Sequence, residues 1–466
     1  MTDAPTIATL GELRASGHEQ KPLRAELRDN LLAKLRAGEN PWPGLHGFES
    51  TVIPQLERAL IAGHDIVLLG ERGQGKTRLL RTIGGLLDEW TPVIAGSELA
   101  EHPFDPITHE SRRRAAELGD RLPVAWRHRG ERYVEKLATP DTSVADLIGD
   151  VDPMKVAEGR SLGDPETIHF GLIPRSHRGI VAINELPDLA ERIQVSMLNV
   201  MEERDIQIRG YVLRLPLDVL VVASANPEDY TNRGRIITPL KDRFGAEIHT
   251  HYPQRLDAET AVIRQEAELV ASVPDHLIEI LARFTRALRE STSVDQRSGV
   301  SARFAIAGAE TIAASALHRA AAHGRVDAAA DATARVVDLQ TAVDVLGGKI
   351  EFETGEEGRE SEVLTHLLRT AIADTVREHF RGVDFGPLVD AIESGAMVVT
   401  GEAVTAREFL AGLPRLGESE LYDETAARLG ASTEGERAAA IELALEGLYL
   451  ARKIGKDTDG SETVYG

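Results

Sequence analysis

The spacing of hydrophobic positions changes along the chain, and the changes mark out its elements. Residues 1–40 carry scattered leucines (Leu10, Leu13, Leu31, Leu32 and Leu35) in polar surroundings, which predicts polar helices. Pro41-Trp42-Pro43-Gly44 breaks this region and reads as a linker. In 48–61, Val52, Ile53, Leu56, Leu60 and Ile61 recur at helical spacing. Ile66-Val67-Leu68-Leu69 is a short continuous apolar run before a glycine, the pattern of a parallel strand buried on both faces. A glycine loop follows, then a helical pattern over 77–90, so the segment reads as strand, loop, helix. Similar buried runs at 180–183 and 220–224 predict an α/β sheet with helical crossovers to about residue 252. The helical period returns at 258–268, 276–289 and 303–321. The polar stretch 354–362 reads as a linker, and 363–466 as helical until Lys453. Asp457-Thr458-Asp459-Gly460 predicts a closing hairpin turn, which is compatible with the wing of a winged helix.

The expected domains are a helical N-terminal segment and linker at 1–43, an α/β core at 44–252 with an insertion at 91–137, a helical lid at 253–353, and a linker with a helical, winged-helix-like domain at 354–466. No repeat of fixed period is visible.

Composition narrows the classes. Of 466 residues, 42% are hydrophobic and 27% charged, an ordinary balance for a globular protein. There is no cysteine, which removes disulfides and thiolate metal sites and fits a cytoplasmic chain. The start of the chain lacks the pattern of a signal peptide, and no apolar run reaches the length of a membrane span. A formal net charge of −22 makes nucleic acid an unfavourable partner for the surface as a whole.

Gly70-Glu71-Arg72-Gly73-Gln74-Gly75-Lys76-Thr77 fits the phosphate-loop pattern G-x-x-x-x-G-K-[ST]. Glycines let backbone amides turn toward phosphate oxygens, and the following helix N-terminus favours an anion. Lys76 reaches toward the β- and γ-phosphates, and the Thr77 hydroxyl is a ligand for Mg²⁺. The alternative, a chance glycine-rich turn, is disfavoured by the strand before it and the helix after it. The expected cofactors are ATP and Mg²⁺.

The strand around 180–183 ends in Asn184-Glu185. P-loop ATPases normally carry Asp-Glu there, the first acid holding Mg²⁺ through water and the second polarising the attacking water. Asn184 can hydrogen-bond a metal-bound water but brings no charge, so two readings stand: an active ATPase with weaker metal binding, or an ATP-binding switch with weak hydrolysis. A third apolar run ends in Asn226-Pro227, placing Asn226 beside the acidic strand end, where it can sense the γ-phosphate or the water; alone, Asn-Pro would be a turn. Ser298-Gly299-Val300-Ser301-Ala302-Arg303 starts a helix, with Ser301 a candidate N-cap. Arg303 in a first turn opposes the helix dipole, which favours a nucleotide-facing role over a structural one.

In order and wording these elements resemble AAA+ ATPases of the magnesium-chelatase ATPase-subunit and MoxR group. Gly44-Leu45-His46-Gly47-Phe48 is similar to the family's segment near the adenine. Residues 138–141 and 147–150 resemble its second strand and the start of its helix-2 insert. Residues 171–179 resemble the chelatase run into the acidic strand, and 201–209 the helix end and hairpin before the sensor strand. The match covers about 44–320. It implies an AAA+ P-loop αβα core with a helical lid and an extra helical C-terminal domain, with ATP between core and lid. It also implies a self-assembled ring, usually a hexamer, that remodels a partner or assists metal insertion, commonly with a von Willebrand A-domain protein. The D-x-S-x-S motif of such a partner is absent here, so it would be a separate chain. Arg243, in Pro239-Leu240-Lys241-Asp242-Arg243-Phe244, takes the family's arginine-finger place; on residues alone it would be a surface ion pair with Asp242. The departures are Asn184, the stretch 91–137 and the C-terminal region. A sigma-54-type activator lacks support, since its G-A-F-T-G-A loop is missing.

His249-Thr250-His251 has a spacing that can bind zinc but no third ligand. His109-Glu110 lacks the second histidine of a zinc protease, and Arg112-Arg113-Arg114 reads as a solvated face.

Overall fold

The computed structural model describes residues 3–466 except 153, 155–156, 158–166, 203–205, 209–210, 214, 227–234, 296–298, 323–331, 357, 418 and 461. The chain divides into two compact units, Met1–His251 and Tyr252–Gly466.

The first unit opens with helices α1 (Leu10–Ala15), α2 (Leu23–Arg36) and α3 (Val52–Ala62), followed by strand β1 (Ile66–Leu69) and α4 (Lys76–Ile83). The helix expected to run to residue 90 stops at the Gly84-Gly85 pair, and Trp90 instead opens a strand. Next come β2 (Trp90–Ile94), α5 (His109–Leu118), β3 (Val124–His128) and β4 (Tyr133–Leu137). Then follow β5 (Gly149–Val151), β6 (Ile168–Phe170), β7 (Gly179–Asn184), α6 (Glu191–Glu202), β8 (Ile206–Ile208), β9 (Tyr211–Leu213), β10 (Val219–Ala225), α7 (Thr238–Arg243) and β11 (Ala246–His249). Two single-turn helices, Val144–Leu147 and Leu172–Arg175, lie between.

Five strands form one parallel sheet in the order β11-β1-β10-β7-β4. Their side chains alternate between two cores, as the pleat requires. Val67, Leu69, Val181, Ile183, Val221 and Ala223 enter one core, which also takes Ile193 and Met197 of α6. Ile66, Leu68, Ile180, Ala182, Leu220 and Val222 enter the other with the apolar faces of α2, α3 and α4. The result is an αβα sandwich, and the continuous apolar runs are its doubly buried central strands.

The segment 91–137, expected as an insertion before the second strand, itself supplies a strand of the main sheet. β4 pairs with β7, Leu137 opposite Asn184, while β2 and β3, with α5 between them in the chain, make a separate antiparallel pair. Pro41–Gly44, read as a linker, is packed: Trp42 is buried and its indole N–H donates to Glu57 Oε1 at 2.9 Å. Helix α2 is fastened to the sheet by a buried bidentate pair in which Arg132 donates to both oxygens of Glu26 at 2.7 Å.

The second unit begins with α8 (Leu256–Glu266), α9 (Asp275–Glu290), α10 (Ala302–Ala322), α11 (Asp338–Leu346) and α12 (Glu360–His379). It continues through α13 (Gly386–Glu393), β12 (Val398–Gly401), α14 (Ala406–Ala411), α15 (Leu421–Arg428), α16 (Glu434–Leu450), β13 (Lys456–Asp459) and β14 (Glu462–Tyr465). The hairpin falls where the turn predicted it. It pairs with β12, a strand that the helical reading of 363–453 did not contain, in the order β12-β14-β13. Helix α16 is buried along nearly its whole length, and its Leu443 and Ala444 join the same core as α9–α12. Polar bonds cross that boundary too. Asp338 accepts from Arg319 and from the Arg335 amide, and the Arg335 guanidinium donates to Gly401 O and Val404 O. The polar stretch 354–362 therefore does not separate two independent cores; α12 already starts within it.

Candidate functional site

The site forms where the parallel strands end. Gly70 follows β1, and any side chain there would collide with its surroundings: a Cβ would lie 2.0 Å from Thr250 Oγ1 and 2.2 Å from Gln74 Oε1. Gly73 and Gly75 take φ values of 75° and 77°, in the left-handed region that costs glycine nothing. Gly75 is the N-cap of α4 and supplies no side-chain cap, so the helix N-terminus faces the loop with its own amides. Gln74 is locked by the Thr250 hydroxyl, which donates to its Oε1 at 2.8 Å, and Glu71 N donates to the same oxygen at 3.1 Å. Thr250 N in turn donates to Leu69 O at 2.7 Å, tying the end of β11 to the end of β1. Phe48 packs next to Gly75 and sets its ring edge-on to His251 at 5.4 Å.

Lys76 is only 7% exposed. Its ammonium donates to Gly70 O (2.5 Å), Glu71 O (2.7 Å) and Asn226 Oδ1 (2.7 Å). Asn226, following β10, uses its other end to donate to Glu185 Oε2 at 2.8 Å. One amide thus bridges the loop lysine and the strand-end carboxylate. Glu185 holds φ 55° and ψ 47°, a left-handed conformation rare for a residue with a Cβ. Such local cost is retained where a side chain must point in one direction.

Asn184 ends β7 and is nearly buried. Its Oδ1 accepts from Ser224 Oγ at 3.1 Å and faces the Thr77 hydroxyl at 3.5 Å. Its Nδ2 donates to Glu135 Oε1 at 2.7 Å. Glu135 is also gripped by Arg81, one turn beyond Thr77 on α4, through Nε to Oε2 at 2.7 Å and Nη2 to Oε1 at 3.0 Å. This bond raises the Arg81 guanidinium above its ordinary value.

Arg72 is exposed within the loop. Arg243 sits elsewhere. It ends α7, just ahead of Ala246, which pairs with Ile66 at the start of β1. It therefore lies toward the opposite end of the strands from the loop. There it donates to Glu202 through Nε (2.9 Å) and Nη2 (2.7 Å), and to Asp242 at 2.9 Å. Arg303 is exposed in the first turn of α10, in the second unit. Pro227, Ser298 and parts of 201–209 lie outside the described residues. Among the described residues no group of three or more histidine and acidic side chains could hold a metal ion, and His251 instead bonds Thr51. Sequence reasoning missed Glu135, Ser224, Thr250 and Arg81; none belongs to a short motif, and each is brought in by strand pairing or by helix spacing.

The strand-end loop, the helix that follows it and the parallel order of the sheet define an α/β P-loop core. In sequence the chain is similar to magnesium-chelatase subunits. It is 27% identical over 219 residues to the magnesium-chelatase subunit ChlI of Anabaena variabilis, covering 46% of this chain and 60% of the relative. Over 213 residues it is 27% identical to the magnesium-chelatase 38 kDa subunit of Acidiphilium rubrum, covering 43% of this chain and 55% of the relative. The match thus spans little more than half the length of these curated relatives. No protein-family model matches the chain. Among solved structures, the BchI–BchD complex of magnesium chelatase aligns over 88% of this chain and 94% of that chain at 16% identity and a TM-score of 0.36. Thermotoga maritima RuvB, as the P216G mutant, aligns over 74% and 80% at 14% identity and a TM-score of 0.36. No helix among the described residues is long and apolar enough to cross a membrane.

Proposed function

We propose that the chain binds and hydrolyses ATP as a ring-forming motor of the magnesium-chelatase and MoxR kind, remodelling a partner protein or assisting metal insertion. The observation that carries this reading is the Asn226 amide bridging Lys76 and Glu185. It supports the reading by joining Lys76, Asn226 and Glu185, the candidates for phosphate-binding cation, γ-phosphate sensor and water-orienting carboxylate, in one hydrogen-bonded row. The residues present fit a nucleotide and a divalent cation: the N-terminus of α4 has no side-chain cap, Gly73 and Gly75 turn the loop through left-handed φ values, and the Thr77 hydroxyl and Asn184 Oδ1 face each other.

In this reading the loop from Gly70 to Gly75, with Glu71, Arg72, Gly73 and Gln74 in its turn, surrounds the β- and γ-phosphates. Lys76 exchanges its carbonyl acceptors for phosphate oxygens, which its short bonds to neutral groups make favourable. Glu185 accepts a hydrogen bond from the attacking water and orients it. Asn226, already between the two, reports the presence of the γ-phosphate to Glu185. Mg²⁺, when bound through Thr77 and a water held by Asn184, supplies charge neutralisation at the phosphates. Arg243 serves a neighbouring protomer's nucleotide as an arginine finger; its placement away from its own loop supports action across a subunit boundary. Its bidentate hold on Glu202 keeps the guanidinium presented until a phosphate competes. Arg303 is the second unit's candidate for the same reaction. Assembly as a hexameric ring, a separate von Willebrand A-domain partner and a cytoplasmic setting complete the proposal.

The test is Lys76→Ala with a fluorescent ATP analogue: nucleotide binding is expected to disappear while the thermal melt stays cooperative. Unchanged affinity contradicts the proposal. A second reading, an ATP-binding switch with weak turnover, is favoured by one observation: the neutral Asn184 where an acid would supply charge. A large gain in turnover from Asn184→Asp would support it.

A further inference from the structure

Asn184 poses a problem that an aspartate would not. A carboxylate accepts hydrogen bonds at both oxygens, whereas an amide is an acceptor at one end and a donor at the other. The side facing Thr77 must accept, because metal-bound water and the threonine hydroxyl both donate. An amide turned the wrong way would meet them with N–H groups. We infer that Glu135 is the positioning residue that fixes Asn184 with its oxygen toward the metal side, and so makes an asparagine usable where the chemistry calls for an acid. The inference rests on the phosphate-loop reading above.

Four observations carry it. The Glu135 carboxylate, an acceptor only, lies 2.7 Å from Asn184 Nδ2; in the flipped amide, two oxygens would oppose each other there. On the opposite side Ser224 Oγ donates to Asn184 Oδ1 at 3.1 Å, so the amide oxygen has its partner in this orientation, while the acceptor-only Glu135 decides which end faces it. The carboxylate is itself held in place by two bonds from Arg81. Arg81 stands four residues after Thr77 on α4, on the same face of the helix, so the helix that offers the metal-ligand hydroxyl also clamps the group that aims its partner. Strand register explains the reach. Leu137 pairs with Asn184, and Glu135, two residues earlier on β4, shares the face of Leu137. As a mere surface ion pair, Arg81–Glu135 would be nearly neutral in its effect, and nothing would require the bond to Asn184.

The test compares Glu135→Ala in the wild-type and Asn184→Asp backgrounds, reading the Mg²⁺ concentration that half-maximally tightens binding of a fluorescent ATP analogue. In the wild type, Glu135→Ala is expected to raise that midpoint about tenfold, the worth of one charge-assisted hydrogen bond at the low end of its range. Arg81→Met, which frees the carboxylate without removing it, is expected to raise it by less. Glu135→Gln, which keeps an oxygen for Asn184 Nδ2, is expected to stay near wild type. In Asn184→Asp the acid needs no aiming and lies beside a like charge. Removing Glu135 is then expected to leave the midpoint unchanged or lower it. An equal rise in both backgrounds, or none in the wild type, overturns the inference while binding without Mg²⁺ remains. Loss of nucleotide binding in the wild-type chain itself would overturn the phosphate-loop reading, and the inference with it.

Discussion

Replacing Asn226 by alanine separates the sensing role from nucleotide binding. The side chain makes two bonds to groups that carry charge, Lys76 Nζ at 2.7 Å and Glu185 Oε2 at 2.8 Å. Each bond of this type is worth about 1.5–3 kcal/mol. Most of that does not appear in affinity: without the bridge, Lys76 is freer to meet phosphate, and it keeps the carbonyls of Gly70 and Glu71. The loss falls on the step that needs Glu185 and the γ-phosphate in fixed relation. One preorganised polar group aimed at developing charge contributes about 2.7–4 kcal/mol, or roughly 10²–10³ in turnover. Asn226→Ala is therefore expected to bind a fluorescent ATP analogue within about threefold of wild type, since about 1.4 kcal/mol is needed for a tenfold change. Steady-state phosphate release should fall by about two to three orders of magnitude. If affinity and turnover fall together, Asn226 is a structural brace of the loop. If neither moves, the bridge has no part in hydrolysis.

Three further outcomes are expected. Arg243→Ala should abolish the rise of specific ATPase activity with protein concentration and leave nucleotide affinity intact; a wild-type activity that is flat with concentration would remove the trans role. Glu26→Ala strands the buried Arg132 guanidinium and should cost about 3–5 kcal/mol in denaturant unfolding of the first unit, whereas Glu26→Leu with Arg132→Met should cost much less; equal losses would deny the pair its anchoring role. The first unit should lose stability as pH falls from about 6.5. Burial, with Arg178 nearby, pushes His102 down to about 2 and His177 down to about 4. Their folded-state values lie below the unfolded one, so the unfolded chain takes up protons first. The stabilisation is complete above about pH 6.5 and lost on acidification toward the folded values, at most about 2 kcal/mol per histidine at pH 5. His177→Gln should flatten the denaturation midpoint against pH, and an unchanged slope would refute this assignment.

The parts of the fold legible in the sequence were those that one local rule determines. β1, β7 and β10 are buried on both faces, and a continuous apolar run followed by a turn has few other readings. The phosphate loop was legible because its glycines and lysine are consecutive. Strand β4 was not, since Tyr133–Leu137 is an edge strand with Glu135 and Lys136 in it, and half-exposed residues carry no buried-strand signature. Trp42 was misread because Pro and Gly signal a chain reversal but do not say whether the reversal is packed. β12 was hidden for the same reason as β4: four residues at a sheet edge between helices leave too little periodicity to register.

The same distinction explains why the weakness at Asn184 was visible and its remedy was not. Asn184 and Glu185 are adjacent, so a missing charge shows in the sequence as one letter. Glu135 lies 49 residues away in the chain and reaches Asn184 only because β4 and β7 pair in parallel with Leu137 opposite Asn184. Slipping that pairing by one residue would turn Glu135 to the other face of the sheet and bring Lys136 to its place, setting a cation beside the amide and reversing which of its ends is held. The register of an edge strand is therefore part of the proposed metal site. The buried Arg132–Glu26 pair immediately before β4 bears on it directly, because the residue that leads into the strand is tied to α2 through two 2.7 Å bonds and to Arg178 O through a third. Substituting Glu26 should thus disturb Mg²⁺ dependence more than nucleotide affinity, although neither Glu26 nor Arg132 touches the loop.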